Sequence, residues 1–184
     1  MSASSVLGDV TKTLVELLKD EQNPLESFDI TVQPPGEDIE ATQKPKINLY
    51  LFRIEENDFA QNRDYLPVGS EKLHYPPLAL NLVYVVTPHA TEQEAGHRVL
   101  GEAMRILHDH AIIESPYLKG VLEYSLETLK IDLCKFNLED LTRIWNAFNQ
   151  PYRLSVCYLV RIVFIDSMID RDITRVEEKE NQHV

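Results

Sequence analysis

The chain has 184 residues, 43% of them hydrophobic and 26% charged, which suits one globular domain whose core needs neither metal nor disulfide. Eighteen Lys and Arg against 30 Asp and Glu leave a net charge of −12, a surface that repels phosphate backbones and anionic lipid and argues against a general nucleic-acid or membrane binder. Asp9, Lys12 and Glu16 break the N-terminus as a signal peptide, and Arg161 breaks the longest apolar run, near Val156–Ile165, so no direct membrane insertion is expected.

Val6, Leu7, Val10, Leu14, Leu17 and Leu18 recur at helical spacing, with Ser4 or Ser5 as N-cap and a stop at Asn23-Pro24. A short strand, Phe28–Val32, precedes a polar loop with two prolines. Lys46–Glu55 alternates, with Ile47, Leu49 and Leu51 on one face and Asn48, Tyr50 and Phe52 on the other, and reads as a strand. Residues 56–77 read as a long polar loop ordered by a partner. Leu78–Thr87 is a near-continuous apolar strand, closed by Pro88.

Thr91 and Glu94 have the spacing of a capping box. The helix they open carries Val99, Leu100, Ala103, Ile106 and Leu107 on one face and runs to about Asp109. Val121–Leu133 reads as one or two strands. Asn137, with Asp140 three residues on, caps a helix bearing Leu138, Leu141, Ile144, Trp145 and Phe148, and Pro151 stops it. Tyr152–Asp166 is the strongest strand pattern. One face is Leu154, Val156, Tyr158, Val160, Ile162 and Phe164; the other is the mixed set Arg153, Ser155, Cys157, Leu159, Arg161, Val163 and Ile165. Residues 167–184 form a polar acidic tail, mobile or partner-ordered. The expected fold is α+β: one domain over residues 1–166 with a mostly antiparallel central sheet of about four to five strands and three helices packed on it.

Catalytic chemistry finds little footing. Glycine-rich phosphate loops, dinucleotide fingerprints and nucleophile elbows are missing from the sequence. A small metal-dependent hydrolase using His108, Asp109 and His110 is the alternative of another class. Positions i and i+2 of a helix point to different sides, however, and His97 lies three turns from His108. No catalytic, cofactor or metal residue is therefore assigned. Cys134 and Cys157 read as structural thiols in a protein folded in a reducing cytoplasm, and Trp145 and Phe148 as core. Arg153 and Arg161 on the mixed face admit two readings, a surface covered by a neighbouring subunit or a salt-bridged exterior.

Four stretches, taken in order, resemble the cap or tail-terminator proteins of phage-tail-like contractile injection systems: INLYLFRIEEN (47–57), PPLALNLVYVVTP (76–88), HRVLGEAMRILH (97–108) and IWNAFNQPYRLSVCYLVR (144–161). With the N-terminal helix they span roughly residues 5–166, and the Trp…Pro-Tyr-Arg-x-Ser…Tyr run carries most of the specificity. The resemblance implies a structural protein without enzymatic activity or cofactor. It forms a ring, expected to be a hexamer, on the distal end of the inner tube and its sheath, stops polymerisation and joins sheath to tube. Implied partners are further copies of the chain, tube and sheath proteins and paralogous caps. Assembly in the cytoplasm, in a particle then released or membrane-anchored, is implied as well. A phage-like tail-completion protein or baseplate adaptor is the alternative of the same class. On this reading Arg153 and Arg161, with Asp172 and Arg175 from a tail segment suited to strand addition, are the candidate interface residues.

Overall fold

The computed structural model describes residues 5–36, 44–58, 64–68, 72–124 and 128–172. Six strands form the central sheet: β1 (Asp29–Thr31), β2 (Lys46–Glu56), β5 (Leu78–His89), β8 (Val156–Ile165), β7 (Leu129–Leu133) and β6 (Ile112–Ile113), in that spatial order. All neighbours are antiparallel except β1 and β2, so the sheet is mostly antiparallel as expected, with more strands. A second, three-stranded sheet, β3 (Leu66–Val68), β4 (Lys72–His74) and β9 (Asp170–Asp172), lies inside what the sequence presents as loop and tail.

Helices α1 (Val6–Asp20) and α2 (Gln93–Asp109) cover one face of the central sheet. Val6, Val10, Leu14, Leu17 and Leu18 of α1 meet Val99, Leu100, Ala103, Ile106 and Leu107 of α2 over Ile47, Leu49, Leu82, Tyr84, Val86 and Val160. Each buried aliphatic side chain contributes about 1.5–3 kcal/mol of transfer free energy, so this layer dominates the stability. Polar ties fix its edges. The Asn23 N–H donates to Glu102 Oε1 at 2.9 Å, and Arg105 bridges Glu102 and Asp109 while donating to the Glu21 carbonyl. The Val121 N–H donates to Asp9 Oδ2 at 3.2 Å, where a 3₁₀ turn, Gly120–Tyr124, runs against α1.

Helix α3 (Leu138–Ala147) lies on the opposite face. Its capping box is present as the sequence predicts, with the Asp140 N–H donating to Asn137 Oδ1 at 2.9 Å and the Asn137 N–H to Asp140 Oδ2 at 3.2 Å. Val83, Val85 and Cys157 form the small core beneath it, with Tyr50, Phe52, Leu141, Ile144 and Phe148 around them. Trp145 is buried and its indole N–H donates to Ser155 Oγ at 3.0 Å, tying the helix to the start of β8. Leu138, assigned to the apolar stripe, is exposed instead.

Several sequence expectations shift. Ser5 occupies the N-cap of α1, but its hydroxyl donates to Asp9 Oδ2 instead of capping, and Ser4 lies outside the described residues. Pro88 does not close β5: it pairs with Ile47 of β2, beyond the point where β8 stops running alongside at Val86, so its missing N–H takes nothing from that ladder. Helix α2 begins one residue later than the Thr91 capping box requires, with Glu92 at the N-cap, and Glu94 pairs with Arg98. The first part of Val121–Leu133 is the 3₁₀ turn, not a strand. Two bulges also break the alternation: Phe52 is the extra residue in β2, and residues 161 and 162 of β8 together oppose Asn81. Past the second bulge, Val163 joins the α1/α2 core and not the mixed face.

Candidate functional site

The four candidate interface residues are not gathered into one site. Arg161 lies in β8 and its guanidinium meets Asp132 Oδ2 of β7 at 2.7 Å, both side chains about half exposed. That exposed pair is worth about 0–1 kcal/mol. Arg153 stands in the segment between Asn149 (φ 54°) and β8, exposed and without an ion pair among the described residues. With Leu154 it walls a cleft of about 200 Å³ against Gly96 and His97 of α2. Asp172 lies in β9 opposite Lys72 of β4. Arg175 lies outside the described residues. The mixed face that prompted the arginine reading is covered, at Cys157 and Leu159, by the chain's own α3 and not by a second subunit.

Cys134 and Cys157 face each other just past the last pair of the β7–β8 ladder, the Cys134 N–H donating to the Cys157 carbonyl at 2.8 Å. Burial, and then the neighbouring Cys134, push the Cys157 thiol up to about 12. Burial raises Cys134 too, helped by the carboxylates of Asp132 and Glu55. Both remain thiols near neutrality, which makes them poor nucleophiles. His108 and His97 are exposed on α2, and His110 turns back on its own chain, its ring edge-on to Tyr117 at 5.2 Å. Among the described residues, no three His, Cys, Asp or Glu side chains gather where they could hold a metal ion, and no helix is long and apolar enough to cross a membrane.

A surface that the sequence reading passed over lies at the end of the molecule where β5 begins and β8 ends. Leu66 and Val68 of β3 are 49% and 53% exposed, and Met168 and Ile169 before β9 are 89% and 61% exposed. Tyr65 and Tyr75 meet edge to face at 5.6 Å. The Tyr75 N–H donates to the Ile169 carbonyl at 3.0 Å, and His74 Nδ1–H donates to Asp170 Oδ1 at 2.7 Å, holding β9 to β4. Beside this small sheet is a groove of about 300 Å³ lined by Pro76, Pro77, Leu78 and Ile165. The sequence offers little signal for it, because β3 and β4 have three residues each.

The Pvc16 N-terminal domain family matches residues 9–178. No curated protein matches the chain in sequence. Among solved structures, the sheath/tube terminator of PVC, an extracellular contractile injection system, is similar over 96% of this chain and 63% of its own, at 18% identity and a TM-score of 0.69. The tube-terminating cap of the anti-feeding prophage is similar over 95% of this chain and 60% of its own, at 18% identity and a TM-score of 0.65. This chain thus spans about six-tenths of the length of each, and the likeness is one of fold.

Proposed function

The chain belongs to the Pvc16 N-terminal domain family, and on that premise we propose that it is a structural cap of a contractile injection particle. It closes the distal end of the inner tube and sheath as a ring, a hexamer by the resemblance of its four motifs, stops polymerisation and joins the two layers. Its partners are copies of itself, the tube and sheath proteins, and paralogous caps. It acts without catalysis or cofactor, and the particle is assembled in the cytoplasm and then released or anchored at a membrane.

The observation that carries this reading is the extent of the fold likeness: nearly the whole chain follows two proteins that are each described as tube terminators. The exposed Leu66, Val68, Met168 and Ile169 on and beside the small sheet support it, since exposed apolar groups of this size suit a protein interface. Arg153, Arg161, Asp172 and Arg175 are the interface residues on this proposal, Arg161 as a half-exposed pair with Asp132. The test is to remove the chain from a cell that builds the particle and to measure tube and sheath by electron microscopy. Tubes of uncontrolled length, or sheaths detached at one end, are expected. Particles of normal length with intact sheaths overturn the reading.

A further inference from the structure

The two ends of β8 carry complementary surfaces. At its C-terminal end is the groove of about 300 Å³ lined by Pro76, Pro77, Leu78 and Ile165, and the exposed carboxylates of Glu56 and Asp166 also line it. Neither carboxylate is in an ion pair among the described residues. At the N-terminal end lies the segment Tyr152-Arg153-Leu154, with Tyr152 and Leu154 each 45% exposed and Arg153 and Leu154 lining the cleft against α2 that Glu92 also lines. The Arg153 guanidinium there has no carboxylate partner among the described residues. The groove carries two carboxylates beside its apolar lining, and the segment carries one guanidinium beside two apolar side chains.

Ten residues of β8 separate them, a span of roughly 30 Å at the rise of an extended strand. The chain cannot place its own segment in its own groove. A second molecule can. A chain of net charge −12 also needs a local cation to bring two copies together against their overall repulsion.

We propose that the groove receives the Tyr152–Leu154 segment of a second copy. Tyr152 and Leu154 seat on the apolar lining, and Arg153 reaches Glu56 and Asp166. The contact is head-to-tail, since each copy offers the groove at one end of β8 and the segment at the other. Such contacts repeat around a ring when the rotation closes. The inference rests on the ring reading above and names the surfaces that would form it.

Sedimentation velocity and native mass spectrometry of the full chain, over a concentration series, test it. The wild-type chain should self-associate, and Arg153→Glu should weaken association at least tenfold. Asp166→Arg alone should weaken it as well. The double variant Arg153→Glu/Asp166→Arg restores opposite charges across the contact and should recover most of the affinity. All these positions are exposed, and circular dichroism melting checks that each variant is folded. A monomeric wild type, unchanged association in Arg153→Glu, or a double variant no better than the single ones overturns the contact. None of those results touches the cap reading, which the particle-length experiment decides separately.

Discussion

On one face of the central sheet the core is continuous and aliphatic, running from Val6 at the start of α1 to Val163 near the end of β8. On the other it is a patch of Val83, Val85 and Cys157 beneath α3, ringed by Tyr50, Phe52 and Phe148, with Phe148 edge-on to Tyr50, Phe52 and Trp145. The first layer spreads its stabilisation over many interchangeable side chains. The second concentrates it in a short helix, one indole and one buried hydrogen bond. A distributed core yields gradually to substitution, whereas a concentrated one fails at a single residue.

Replacing that residue is the sharpest way to break the comparison. Trp145→Ala removes the indole and its bond to Ser155 and should cost about 3–5 kcal/mol in chemical denaturation. Hydrogen exchange should rise first over Leu138–Ala147 while the amides of α1 stay protected. Leu82→Ala, on the aliphatic face, should cost about 2–5 kcal/mol with protection falling across the whole domain. Identical exchange patterns in the two variants would show that the faces form one cooperative unit.

Three gentler substitutions probe single local features on the two sides. Gly120 has φ +66°, and a Cβ there would stand 2.3 Å from the Asp9 carboxyl. Gly120→Ala should therefore cost about 1–3 kcal/mol in strain, read as a lower melting temperature. Ser155→Ala leaves the buried indole N–H of Trp145 without its acceptor, also about 1–3 kcal/mol, and near-ultraviolet dichroism should show the tryptophan loosened. Asn137→Ala removes the cap of α3, worth about 1 kcal/mol, and increased exchange should be confined to the first turn of that helix.

The smallest effect is one of pH. The Arg105 guanidinium beside Glu102, aided by the Asn23 N–H, holds its carboxyl below the usual carboxylate range against the opposing effect of burial. Stability from this tie is thus fully present above the unfolded value of about 4.5 and is lost as pH falls through the lower folded value. Glu102→Gln should flatten the acid limb of the melting temperature against pH without altering α3.

The helices were legible because their residues repeat: three or four apolar positions per two turns locate α1 and α2, and Asn137 with Asp140 marks α3 to the residue. Strands were legible only where they are long. The two residues of β6 and the three of β3 or β4 are too few to show a period, and their order comes from pairing with residues distant in sequence, as β9 pairs with β4. Face assignment failed at the mixed face of β8 because alternation presumes a regular ladder. The partner of Arg161 was not legible either: the sequence holds no sign that Asp132 of β7 would lie within reach of it. The groove was invisible because its walls come from β5, β8 and the segment between β8 and β9.

The bulge at residues 161 and 162 acts as a phase inverter. Upstream of it, even-numbered residues such as Tyr158 and Val160 point into the aliphatic core; downstream, the odd-numbered Val163 does. Removing one of the two bulged residues would leave a regular ladder with Val163 still opposite Leu80 and facing the core, so the bulge absorbs one extra residue without turning the strand over. A single-residue deletion at 161 or 162 should therefore keep Val160 and Val163 in the core, and the bulge is the place in β8 where a change of length costs least.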